Sequence, residues 1–152
     1  MIQSKLFVCA DSAAVDVRTS ALSIFHVLEQ VNGPFFPVVI PRVSIVFMLT
    51  REEPDPSNFL FQLEIYSGNQ QLLARPVAVN FQQQFVSRTV LDVYGVVVPA
   101  PVTLRFELRN GEALLGSWSI LVNQVGGPVF QMNLPVAPLG GGPPREGDPI
   151  PQ

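Results

Sequence analysis

At 152 residues, 47% hydrophobic and only 14% charged, the chain is long enough for one domain with a self-sufficient core and has little charge for its surface. A net charge of −3, a pI near 5.0 and nine scattered basic residues argue against a nucleic-acid partner, which would need clustered Lys and Arg to displace counterions. The single cysteine, Cys9, excludes an internal disulfide and a multi-thiolate zinc site.

Taken in chain order, "KLFVCA" predicts a first strand over residues 4–10. The three apolar residues between Lys5 and Cys9 are too few for a secretory signal, whose hydrophobic region needs roughly 7–15. A cytoplasmic location is therefore expected. In "ALSIFHVLEQV", Leu22, Phe25 and Leu28 are spaced like one face of a helix. Ile24, Phe25 and Val27 favour extended backbone, however, and no convincing cap precedes them, which predicts a strand over 22–31.

The stretch from Phe35 to Leu49 carries one charge, Arg42, and two prolines, Pro37 and Pro41. A membrane helix needs about 20 apolar residues and would lose hydrogen bonds at the prolines, so no membrane span is expected. "GPFFPVVIPR" reads as a proline-bounded connection. "VSIVFMLT" reads as part of a strand over 42–51, too uniformly apolar to keep one wet face. It predicts a central strand covered on both faces, the second cover being the apolar tail segment or a partner subunit.

"REEPDPSN" and "SGNQ" are turns by composition. "NFLFQLEIYS" alternates cleanly, with Phe59, Phe61, Leu63 and Ile65 opposite Gln62 and Glu64, and predicts a strand over 58–67. Further strands are expected over 72–81 and 85–94, joined by "NFQQQF" with Phe81 and Phe85 anchoring the connection to the core. "PVTLRFELRNGEALLGSWSILVN" reads as a hairpin over 102–123. Asn110-Gly111 is read as its turn, both central positions taking positive φ, and Leu114, Gly116, Trp118, Ile120 and Val122 share one face.

The fold class expected is all-β: an antiparallel β-sandwich of about eight strands over residues 1–123, with a Pro/Gly-rich C-terminal extension over 124–152. Three stretches in this order, "LFVCADSA", "LSIFHVLEQVNGPFFPVVIPR" and "LRFELRNGEALLGSWSILVNQ", resemble a family of short, leaderless bacterial proteins known as a domain of unknown function. The resemblance spans about residues 5 to 124. It implies a β-sandwich and supplies no activity.

The candidate chemistry is sparse. Cys9 and His26 would make a nucleophile and base if their strands were neighbours, but no orienting third residue is indicated, and a thiol in an apolar strand is expected to be buried and inert. Asp11 and Asp16, the cluster Glu52, Glu53 and Asp55, and Asp92 could supply oxygens to Ca²⁺, which takes about six to eight. The plainer reading makes Asp11 a turn cap and "EEPDP" a solvated loop. "GGG" at 140–142 lacks the strand and helix that a phosphate loop requires.

No catalytic residue, cofactor or metal is therefore expected. The tail keeps Val129, Phe130, Met132, Leu134, Val136 and Leu139, more apolar than a linker, before "GGGPPREGDPIPQ" reads as disordered. These six residues are the candidate partner-binding set. The expected function is a non-enzymatic interaction or structural module that binds a protein partner or forms a homo-oligomer. The alternative is a ligand-binding sandwich with a carbohydrate or calcium site at one loop end.

Overall fold

Strands form here because apolar residues recur at every second position, so that each extended segment buries one face. A computed structural model describes residues 1–126, and nine strands lie among them: β1 (Gln3–Val15), β2 (Leu22–Val27), β3 (Gln30–Gly33), β4 (Val38–Thr50), β5 (Asn58–Ser67), β6 (Gln70–Asn80), β7 (Val86–Val98), β8 (Val102–Asn110) and β9 (Ala113–Gln124). They make a four-stranded sheet in the order β2-β1-β4-β7 and a five-stranded sheet in the order β3-β9-β8-β5-β6. Cys9, Val43, Ile45 and Phe47 of the first sheet meet Phe61, Leu63, Phe106 and Ile120 of the second in one core. The sheets approach closely at Gly116, where an added Cβ would lie 2.8 Å from the ring of Phe7. Residues 127–152, with the predicted extension and its six apolar candidates, lie outside the described residues.

The expected strand over 22–31 is two strands in different sheets. His26 takes a positive φ of 53°, and the chain crosses from β2 to β3 through Leu28 and Glu29. The crossing is held by the other sheet: Trp118 donates its indole N–H to the Leu28 carbonyl at 2.7 Å, and the Leu121 N–H reaches the Glu29 carbonyl at 2.9 Å. β3 then pairs with β9 in parallel, the one parallel pair in an otherwise antiparallel ladder set among the described residues.

The expected strands over 42–51 and 85–94 are both longer than the sequence suggested, for a shared reason. β4 begins at Val38, so half of the supposed proline-bounded connection is strand. Ile40 and Val43 both face the core, three residues apart, and on β7 so do Val93 and Val96. The two neighbouring strands slip their alternation at the same level, between the pairs Ile40↔Val96 and Arg42↔Tyr94, so the register is kept. Pro41, which cannot donate to a ladder, and Gly95, at φ 67°, occupy the slip.

The hairpin turn after β8 also differs from expectation. Asn110 stays in the ladder opposite Ala113, and the turn is Gly111-Glu112 with positive φ at Gly111 only, the type II′ pattern. A bulge follows: Leu108 pairs with Gly116 and Arg109 with Leu114, leaving Leu115 as the extra residue. Leu115 packs on the core and Leu114 turns out to solvent, not onto the face of Gly116. No helix among the described residues is long and apolar enough to cross a membrane.

Candidate functional site

The outer faces of the two sheets differ in the chemistry of their centres. On the five-stranded sheet the alternation of "FQLEIYS" and "TLRFELR" sends Glu64, Tyr66, Arg105, Glu107 and Arg109 outward, where they interlock. Arg105 Nε donates to Glu107 at 2.6 Å, and Arg109 donates to the other carboxylate oxygen at 2.7 and 3.0 Å. Arg109 also lies 3.1 Å from Glu64, whose carboxylate accepts the Tyr66 hydroxyl at 2.8 Å. The Arg105 guanidinium sits 4.6 Å from the centre of the Tyr66 ring. Burial alone would push the Glu107 carboxyl up; the two guanidiniums outweigh it and hold the group below its ordinary value. These groups satisfy one another, while Leu60 and Leu121 stand exposed elsewhere on the same sheet.

The four-stranded sheet has no such ladder. Cys9, Val43, Ile45 and Phe47 point into the core, so their strand neighbours point out: Val8 and Ala10 on β1, Ser44 and Val46 on β4. Cross-strand pairing adds Phe25 and Val27 from β2 and Val90 and Asp92 from β7. The polar contacts here converge on Asp92, which accepts the Ser44 hydroxyl and, at 3.4 Å, the hydroxyl of Tyr94 at the rim. Ala10 and Val46 are 0% exposed and Ser44 1%, although none of the three belongs to the core cluster. Among the described residues no sheet stacks on this side. The rim, by contrast, is open: Phe25, Val27 and Tyr94 are 52, 47 and 69% exposed.

At one end of the face, the slip between β4 and β7 opens a shallow groove of about 640 Å³ lined by Asp11, Ser12, Phe25, His26, Pro41, Arg42 and Tyr94. Arg42 Nε donates to the Asp11 carbonyl oxygen at 2.9 Å, and Asp11 Oδ2 lies 3.3 Å from His26 Nδ1. Two exposed aromatic side chains thus flank a guanidinium and a His–Asp pair. Sequence reasoning did not find Arg42 and Tyr94 as neighbours. Pro41 and Gly95 were their only signal, and it becomes readable once the register is known.

Apart from the His26–Asp11 pair, the predicted chemical residues do not converge on one site. Cys9 is buried on the core face of β1, where burial pushes its thiol well above the ordinary range, while the His26 side chain is exposed. Asp16 is the turn cap, accepting the N–H groups of Arg18 and Thr19 at 2.7 and 3.1 Å. Asp11, expected to cap that turn, sits in strand β1 beside His26. Glu52 and Asp55 bind the Met1 amino group at 3.2 and 2.7 Å, and their bonds raise its pKa and lower that of Asp55. Among the described residues no three His, Cys, Asp or Glu side chains meet to hold a metal. Of the two expected anchors in "NFQQQF", Phe81 is buried and Phe85 is exposed, its ring centre 5.0 Å from the Arg51 guanidinium. The six tail candidates, Val129 to Leu139, lie outside the described residues.

No curated protein matches this sequence significantly. Residues 5–123 do match the model of a family described as of unknown function, DUF6941, and with the strands β1 to β9 almost wholly inside that match the chain belongs to this family.

Proposed function

We propose that the protein is a non-enzymatic interaction module of the bacterial cytoplasm, and that it docks a protein through the outer face of its four-stranded sheet. The observation that carries this reading is the contrast between the two outer faces. One sheet is finished with interlocked charges, and the other presents Val8, Ala10, Val46 and Val90 around Asp92 and the two hydroxyls, of Ser44 and Tyr94, that donate to it. An apolar sheet face is stable only under a second layer. Its exposed rim of Phe25, Val27 and Tyr94 has the aromatic and aliphatic character of an interface edge.

The test places a photoreactive amino acid at Phe25 on this rim, or at Leu60 on the outer side of β5, in full-length protein in its native cell. Adducts with another protein from position 25, absent from position 60, are the expected result. Equal yields at both positions, or none at 25, would refute the reading.

A small-molecule reading has one observation in its favour: Phe25 and Tyr94 flanking Arg42 in the groove supply the stacking surfaces and donors that sugars use. Loss of glycan binding in Tyr94→Ala would support it, and full-length protein that retains no glycan on an array would end it.

A further inference from the structure

Building on the reading of the four-stranded sheet's outer face as a docking surface, we propose that its resident occupant is the chain's own apolar segment, residues 129–139. A partner then reaches the face by displacing that segment.

Five observations carry this. Ala10, Ser44 and Val46 are closed off at 0, 1 and 0% exposure on the side away from the core, and among the described residues no sheet stacks over them. The segment has the pattern such a layer needs. Phe130, Met132, Leu134 and Val136 fall at every second position, with Gln131, Asn133 and Pro135 between them. Extended, it offers one apolar side to the sheet and one polar side to water.

The prolines decide how it can lie. Pro128, Pro135 and Pro138 lack the N–H that pairing to an open edge of β6 or β7 would require, whereas lying across a face needs no ladder. Shape agrees as well, since small residues at the centre of the face leave room for long side chains.

Reach is sufficient. The Val125 N–H donates to the Gly33 carbonyl at 3.1 Å, and Gly33 abuts Val38, where β4 begins. The chain therefore leaves the sandwich at the head of the strand that carries Ser44 and Val46. Twelve further residues extend up to roughly 40 Å, against about 26 Å along β4 from Val38 to Val46.

The experiment uses full-length protein with p-benzoylphenylalanine at position 132. After irradiation, the expected product has monomer mass and carries its cross-link in tryptic peptide 6–18 or 43–51, which hold Val8, Ala10, Ser44 and Val46. The same product should be lost when Leu134→Asp and Val136→Asp are added. Cross-linking at dimer mass would replace the segment with a second copy and overturn the proposal. So would a cross-link confined to peptide 52–88, which holds β5 and β6, or no cross-link at all. If the intrachain product is absent while adducts from position 25 persist, the docking face stands and only its occupant is wrong. If both are absent, the docking reading fails too.

Discussion

Replacing Val46 with aspartate measures directly whether the second face of β4 is covered. Val46 is 0% exposed on the side away from the core. Losing its burial forfeits about 1.5–3 kcal/mol. The new carboxylate would enter an apolar patch whose nearest polar pair, Ser44 and Asp92, is already engaged and carries the same sign of charge. Burying an unpaired polar or charged group adds about 1–3 kcal/mol even after the carboxyl takes up a proton. The sum is a loss of about 2.5–6 kcal/mol, at or above the top of the usual range for single substitutions. On a face open to water the same change would cost under about 1 kcal/mol, the span of strand propensity alone. Leu60→Asp, on the exposed side of β5, is the matched control and should stay within that limit. Urea unfolding of the full-length chain reads both. Val46→Thr, which keeps the shape and adds a hydroxyl, should lose about 1–2 kcal/mol if Val46→Asp does not fold. A loss below about 1 kcal/mol for Val46→Asp would refute the reasoning, because a carboxylate could then find water on that face.

Three further outcomes test other parts of the structure. Gly116→Ala would place a methyl group 2.8 Å from Phe7, and β9 and β1 would have to move apart; a loss of about 1–3 kcal/mol is expected in urea unfolding, and none at all would mean that the sheets do not approach as described. Glu107 has a folded-state pKa below its ordinary 4.5, so its contribution is complete above about pH 4.5 and lost as pH falls through the folded value. Glu107→Gln should cost about 1–2 kcal/mol at neutral pH, discounted for the partial exposure of its arginine partners, and should flatten the decline in stability on the acid side; an unchanged acid profile would count against the ion network. Cys9, buried on the core face, should react with a disulfide reagent only at the rate at which the native protein opens, and immediate labelling would contradict its placement.

Strands β5 and β8 of the five-stranded sheet were readable because their pattern is local. Gln62 and Glu64, or Arg105 and Glu107, alternate with apolar neighbours, and each such residue declares its face without reference to any other strand. The slip at Pro41 and Gly95 was not readable in that way. It is permitted only because two strands distant in sequence slip at the same level, and neither shows that the other does so. The same holds for His26, whose positive φ turns one predicted strand into two on different sheets. Candidate chemistry followed the same division. The burial expected of Cys9 came from the apolar run around it, while the neighbourhood of Arg42, Tyr94, Phe25 and His26 joins three strands and exists only in the folded chain.

By itself, then, the sequence determined an all-β sandwich, the polar finish of one sheet, and the excess apolarity of "VSIVFMLT" that demands cover on two sides. Tertiary structure decided which strands are neighbours, and with that which outward residues gather into one apolar face. The physical reason is range: side-chain alternation is set by backbone geometry within a strand, whereas a surface is a property of register between strands, which no single segment encodes.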